Sequence, residues 1–169
     1  GNVLTKFLRL KQICGTTATV MEDKSDYSGK LDAAVWDTAN LVSEGERVVV
    51  FTQYRGIQEA FVNRLVAEFS KMKHRLRKNT GLKTATAKQP NPVFVLNGDV
   101  PAGDRQSVVD AWTNHELPGV IVCIYSVAGV GLNMTAARYC QRLDKLFNPP
   151  LNQQAVDRIH RIGADTSQP

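Results

Sequence analysis

The sequence has few cysteines, and their positions exclude the sites that cysteines usually build. Its 169 residues include three, Cys14, Cys123 and Cys140, with no Cys-x-x-Cys pair among them. An odd, scattered set supports neither a disulfide framework nor a zinc site. The three histidines are equally scattered, and no pair has the spacing of a helical metal site. We therefore expect free thiols in a reducing intracellular compartment, no disulfide partner and no bound metal.

Long hydrophobic runs are also absent. The longest, residues 48–51 and 120–125, are far shorter than the roughly 18 residues that a membrane helix needs. The N-terminus lacks the pattern of a signal peptide. Hydrophobic residues make up 43% and charged residues 22% of the chain, as in ordinary globular proteins. We expect a soluble domain with a real core and no membrane partner.

The positive charge of the chain is concentrated in one segment. Residues 71–92 carry seven of the 21 basic residues and no acidic residue, although the chain as a whole has 16 acids and a net charge of +5. Clustered lysines and arginines supply the sequence-independent part of nucleic-acid binding, but such a run is also common on solvated surfaces. Because the segment ends in Pro90 and Pro92, we interpret it as an exposed insertion.

Strand and helix patterns alternate along the chain. Apolar runs without polar alternation predict strands buried on both faces, at residues 47–52, 93–96, 120–125 and 139–143. Helical periodicity is present at residues 3–13, 57–69 and 104–112, and Ser28 is a suitable N-cap for a further helix over residues 29–42. This alternation predicts an open α/β fold with a mostly parallel sheet and helices on both faces.

Residues 154–163 carry the most specific pattern. On a helix, Gln154, Arg158 and Arg161 fall within about 60° of one another, apart from an apolar stripe. Two like charges at i and i+3 repel each other, so a nearby polyanion explains them better than a purely structural role. An ordinary basic surface helix is the alternative.

A glycine-bearing turn follows the predicted strand 120–125. Gly129 and Gly131 would let the backbone approach a ligand closely, and nearby Ser126 and Thr135 hydroxyls suit phosphate oxygens. The third glycine of the dinucleotide fingerprint is missing, so a Rossmann-type cofactor site has little support.

Taken in order, these stretches resemble the C-terminal helicase lobe of the Swi/Snf family of DNA translocases, in helicase superfamily two. The resemblance covers nearly the whole chain. Its elements are residues 48–54 as motif IV, Leu96-Asn97-Gly98 as the L-x-G element, residues 126–137 as motif V, Asp144 with Phe147-Asn148-Pro149 as D-x-x-W-N-P, and residues 154–163 as motif VI. Phe147, Met134 and Ala164 depart from the family's usual Trp, Leu and Gln.

The resemblance implies a RecA-like lobe over residues 28–169, preceded by a connecting arm over residues 1–27 and containing the basic insertion 71–92. It also implies half of an ATPase. The sequence contains no Walker A motif, G-x-x-x-x-G-K-[ST], and no Walker B motif after a predicted strand. ATP and Mg²⁺ would be bound mainly by an N-terminal RecA-like lobe of the same protein, and the isolated chain would be inactive.

The resemblance also implies roles for single residues. Arg158 and Arg161 would act as arginine fingers on the transferred phosphate, while Gln154, Gly129 and Gly131 would lie at the nucleotide. Double-stranded DNA would be contacted through its backbone by Gln53, Tyr54, Ser126 and Thr135.

Two alternatives stay open. One is a non-catalytic nucleic-acid-binding module that uses residues 71–92 and does not need the motif VI arginines. The other is a small-molecule enzyme with a Rossmann-like sheet that binds a dinucleotide at Gly129 and Gly131, against which the missing third glycine counts.

Overall fold

A computed structural model describes residues 5, 6, 8, 10, 12, 28–80, 92–128 and 132–145, with only the backbone of residues 73–80 and 128. The five described residues near the N-terminus are helical, as the periodicity of that stretch predicts. The later elements, in chain order, are α1 (Gly29–Ser43), β1 (Val48–Thr52), α2 (Arg55–Thr80), β2 (Val93–Leu96), a 3₁₀ turn (Ala102–Asp104), α3 (Arg105–Thr113), β3 (Val120–Ile124), the single turn α4 (Tyr125–Ala128) and β4 (Tyr139–Arg142).

The four strands form one parallel sheet in the order β2-β3-β1-β4. Val48 of β1 is level with Val120 of β3 and with Tyr139 of β4, so the three strands begin at one edge of the sheet. Every residue of β1 and β3 is buried, which is why their continuous apolar runs predict both of them closely. The predicted burial on both faces is wrong for β2 and β4, which lie at the two ends of the strand order and keep partly exposed residues.

Helices cover both faces of the sheet, and alternate residues of β1 point to opposite layers. Val48 and Val50 pack with the buried residues of α1 and α2. Val49 and Phe51 pack with residues of α3, α4 and the 132–137 segment, including the fully buried Trp112. The predicted α/β fold with a parallel sheet between helices is confirmed.

The start of α1 and the end of β3 can each be compared with the sequence prediction. Ser28 is the N-cap of α1, and its hydroxyl accepts a hydrogen bond from the Leu31 N–H at 3.2 Å. Tyr125, predicted as the end of a strand, begins the helical turn α4 instead. Its ring stacks on Phe51 with 5.3 Å between centroids, and its hydroxyl donates to the Asp144 carbonyl at 2.9 Å, so it contacts segments that are distant along the chain and that local periodicity cannot reveal.

The interpretation of residues 71–92 as an insertion needs correction at its start. Helix α2 continues to Thr80, so residues 71–80 belong to a helix and do not form a loop. No glycine or proline interrupts residues 57–80, lysine and arginine are good helix formers, and Met72 packs on the α1/α2 layer. The rest of the basic segment, up to residue 91, lies outside the described residues.

Gly119 is required where β2 and β3 begin. A Cβ atom there would lie 2.7 Å from the Pro92 carbonyl oxygen, which already accepts the Val120 N–H at 2.8 Å. The Gly119 carbonyl in turn accepts the Trp112 indole N–H at 3.0 Å. We expect Gly119→Ala to lower the free energy of unfolding by about 1–3 kcal/mol, as overpacking does.

Chemical denaturation of the two forms measures this difference. Gly29→Ala is the matched control, because a Cβ atom at that position would meet no other atom within 4 Å and alanine is favoured in a helix. Equal midpoints for Gly119→Ala and the wild type would contradict the steric argument.

Candidate functional site

The candidate site lies at the carboxyl edge of the sheet. Because all four strands are parallel, the segments that follow them leave from the same edge, which is where open α/β sheets bind ligands. Gln53 and Tyr54 follow β1, Asn97 follows β2, Ser126 lies just after β3, and Asp144 follows β4. Four stretches that resemble separate family motifs therefore converge in space.

Asp144 holds the turn that connects β1 to α2. Its carboxylate accepts the Thr52 hydroxyl at 2.5 Å and the Gln53 backbone N–H at 2.9 Å and 3.1 Å to its two oxygens. The pairing of β4 with β1 delivers it there, since the Leu143 N–H donates to the Phe51 carbonyl at 2.9 Å. Hydrogen bonds to an ionised acceptor are stronger than neutral ones, so this turn is firmly tied. We call Asp144, Thr52 and Gln53 the Asp144 clasp.

Two tyrosines flank the clasp as neutral hydroxyls. Burial, and secondly the Asp144 charge, raise the pKa of Tyr54 above its usual value. Burial also raises the pKa of Tyr125, again with a smaller contribution from Asp144. Both phenols therefore stay protonated at neutral pH. In the part of the chain that the structure describes, the Tyr54 hydroxyl and the Gln53 side-chain oxygen are buried without a hydrogen-bond partner.

Arg55 ties the same turn to the loop after β2. Its guanidinium binds the Asp99 carboxylate in a bidentate pair, at 2.8 and 2.6 Å, and the Glu59 carboxylate at 2.9 Å. These carboxylates raise the pKa of Arg55, which is exposed to solvent. Neither this pair nor the clasp could be predicted from spacing, because 44 and 92 residues of chain separate the partners.

The structure brings part of the predicted site together. Gln53 and Tyr54 lie in the β1–α2 turn, and Ser126 is exposed at the same edge. Thr135 lies on the segment that returns from this edge to the start of β4, where the Arg138 N–H donates to the Arg47 carbonyl. The remaining predicted residues lie outside the described residues: Gly129, Gly131, Gln154, Arg158 and Arg161.

The two cysteines among the described residues, Cys123 and Cys140, have the environment of structural thiols. Burial raises the pKa of the Cys123 thiol, and burial opposed by Arg142 raises the pKa of Cys140 to about 11. Neither forms much of the thiolate that metal binding or nucleophilic attack requires. Over residues 28–80, 92–128 and 132–145, no three His, Cys, Asp or Glu side chains are grouped to hold a metal ion. None of the helices in that part combines the length and apolar character of a bilayer span.

A groove of about 430 Å³ lies elsewhere, between α1 and the edge strand β4. Its walls include Trp36, Val48 and Tyr139, and the last two begin their strands, so the groove reaches the amino edge of the sheet. None of the predicted site residues lines it. This groove and the candidate chemistry are therefore in different places.

Comparison with known families and proteins gives a consistent result. Residues 31–163 match the helicase conserved C-terminal domain. YwqA of Bacillus subtilis (strain 168), named as a putative ATP-dependent helicase/translocase, is 29% identical over 168 residues, which is 96% of this chain and 16% of that protein. The DNA repair protein RAD5 of Eremothecium gossypii is 28% identical over 160 residues, 92% of this chain and 13% of that protein. The chain thus spans a small part of these relatives.

Solved structures show the same fold. The C-terminal domain of the Sulfolobus solfataricus SWI2/SNF2 ATPase superposes with a TM-score of 0.62 at 21% identity, over 87% of this chain and 57% of that one. The core of that ATPase in complex with dsDNA gives a TM-score of 0.66 at 23% identity, over 95% of this chain and 30% of that one. The parallel sheet with its flanking helices is that of a RecA-like lobe.

Proposed function

The chain belongs to the helicase conserved C-terminal domain family, and from this membership we propose that it is the second motor lobe of an ATP-driven translocase on double-stranded DNA. Its relatives are Swi/Snf-type ATP-dependent helicases. Such a motor alternates between open and closed arrangements of two lobes as ATP binds and is hydrolysed, so it needs an N-terminal RecA-like lobe in the same protein.

One observation carries the proposal: the segments after β1 and β3 meet at the carboxyl edge and present uncharged hydrogen-bonding groups. Gln53, Tyr54 and the exposed Ser126 are groups of the kind that contact phosphate and sugar without reading sequence. The Tyr54 hydroxyl is buried here without a hydrogen-bond partner among the described residues, and its raised pKa keeps it protonated, so it can donate to a phosphate oxygen once the side chain turns outward. We assign these three residues to the DNA backbone, with Thr135 as a fourth.

The nucleotide side of the proposal rests on motif VI. Gln154, Arg158 and Arg161 would face ATP across the cleft between the lobes, and Gly129 and Gly131 would let the backbone come close to it. The 169 residues contain no G-x-x-x-x-G-K-[ST] sequence, the loop that orients phosphates and Mg²⁺ in this class of motor. We therefore assign the Mg²⁺ and most ATP contacts to the other lobe.

The test of the DNA assignment is Gln53→Ala in the full-length protein. Removal of one neutral hydrogen bond to a phosphate should weaken duplex binding about fivefold. The slope of log affinity against log salt should not change, because a neutral side chain displaces no counterion. Titration of a labelled duplex at several salt concentrations measures both quantities. Asn114→Ala, which removes an exposed amide beyond the C-terminus of α3, is the control that should bind like wild type.

The same titration distinguishes the alternative of a passive nucleic-acid-binding module. Replacement of Lys73, Arg75, Arg77 and Lys78 by Gln keeps helix propensity and would flatten the salt slope by about 0.9 for each phosphate that the variant no longer neutralises. A motor lobe that binds through its sheet edge would keep most of its duplex affinity in this variant. If the four-residue variant lost nearly all duplex binding while Gln53→Ala bound the duplex like wild type, the passive module would be favoured.

A further inference from the structure

We propose that Asp144 is a positioning residue for DNA binding, which fixes the backbone of the β1–α2 turn so that Gln53 and Tyr54 face the duplex. This inference rests on the assignment of Gln53 to the DNA backbone. Asp144 itself touches no phosphate in this proposal and acts through the Asp144 clasp.

The sign of its charge is the first argument. A carboxylate at an edge that binds phosphates repels the ligand, so its presence there needs another reason. Asp144 is half-buried, and its two oxygens accept the Thr52 hydroxyl and the Gln53 N–H. The carboxylate is therefore turned toward the protein backbone, where it orders a turn that would otherwise have a free N–H group.

The sheet register is the second argument. Phe51 pairs with Arg142, so the residues just beyond β4 must come to lie beside Thr52 and Gln53. The Tyr125 hydroxyl, from the segment after β3, donates to the Asp144 backbone carbonyl at 2.9 Å. Asp144 thus connects the ends of three neighbouring strands: it follows β4, its carboxylate binds the end of β1, and its backbone carbonyl binds the segment after β3.

The order of the turn is the third argument. The clasp ties the backbone that carries the half-buried side chains of Gln53 and Tyr54. A turn that is already ordered loses less conformational freedom when it binds, so a fixed turn raises affinity without any new contact. The clasp supplies this order from a side chain that is 91 positions from Gln53 along the chain.

The experiment measures duplex affinity of full-length Asp144→Asn. Asparagine has nearly the same size, but only one of its two terminal side-chain atoms is an oxygen. It therefore cannot replace both carboxylate oxygens as acceptors for the Thr52 hydroxyl and the Gln53 N–H. We expect about tenfold weaker duplex binding, which corresponds in free energy to the loss of one or two of the hydrogen bonds that hold the turn. A surface acid without a positioning role would give the opposite sign, because neutralising it removes repulsion. Asp37→Asn, an exposed acid on α1, is the matched control that should not weaken binding.

Three further measurements separate positioning from loss of folding. Hydrogen exchange of the Gln53 amide, followed by mass spectrometry without DNA, should be faster in Asp144→Asn while the α1 peptides exchange as in wild type. Thr52→Val should weaken binding in the same direction, and Thr52→Ser, which keeps the hydroxyl, should restore it. In a Gln53→Ala background, Asp144→Asn should weaken binding only about twofold further instead of about tenfold, because most of its effect acts through Gln53 and the remainder through Tyr54.

The outcomes separate this proposal from the proposed function. Unchanged or tighter duplex binding by Asp144→Asn, with Gln53→Ala weakened, overturns the positioning role and leaves the DNA contact intact. Unchanged binding by Gln53→Ala removes the DNA contact itself and the positioning role with it. Additive losses in the double variant show that Asp144 acts on the duplex by another route, which also overturns the proposal.

Discussion

In the full-length protein, Arg161→Ala is expected to lower kcat for ATP hydrolysis by about 10³–10⁵-fold, and Arg158→Ala by a comparable factor. The proposed role of these guanidiniums is to stabilise the negative charge that develops on the transferred phosphoryl group. Loss of such a residue raises the activation barrier by roughly 4–7 kcal/mol. Because the interaction is stronger in the transition state than in the ground state, KM for ATP should change much less than kcat.

Steady-state phosphate release with saturating duplex DNA measures both parameters. Arg138→Ala is the control, since Arg138 lies just before β4, near the amino edge of the sheet, where it pairs with Glu46 at 2.8 Å. Duplex affinity and the unfolding midpoint should stay near wild type in all three variants. Wild-type turnover in both Arg158→Ala and Arg161→Ala would reject the finger assignment.

The strands could be predicted well because each of β1, β2 and β3 is a continuous apolar run, and β1 and β3 are buried on both faces. The prediction of residues 93–96 matches β2, and the predictions of residues 47–52 and 120–125 differ from β1 and β3 by one residue each. The end of α2 could not be predicted in this way. Its last turns carry few apolar residues, so helix propensity and the absence of a breaker from residue 57 to residue 80 decide where it ends.

In the candidate site, too, some features could be predicted from the sequence and others could not. Gln53, Tyr54 and Ser126 belong to motifs that a resemblance can identify, and the parallel sheet brings them to one edge. The contacts of Asp144 and of the Arg55–Asp99 pair come from tertiary pairing between distant segments, for which a single sequence contains no periodic signal. The sequence therefore predicts which residues could bind DNA, whereas the fold is needed to see what holds them in place.

The purified chain alone is expected to show no DNA-stimulated ATP hydrolysis, whereas the full-length protein should turn over in the same assay. Within the 169 residues, Gly29-Lys30 is followed by Leu31, and residue 24, where a Walker A glycine would stand, is a lysine. The chain therefore lacks the glycine-rich cradle and the serine or threonine that orient phosphates and Mg²⁺.

The comparison is sharpest when one preparation of duplex DNA and one phosphate-release assay serve both proteins. Circular dichroism and the unfolding midpoint of the chain should first establish that it is folded, so that a missing rate reports missing chemistry. Adding the N-terminal lobe as a separate protein should restore part of the turnover, and restoration should fail with Arg161→Ala in the chain. Robust turnover by the chain alone, abolished by Arg161→Ala, would mean that a complete active site lies within these residues and that the two-lobe assignment is wrong.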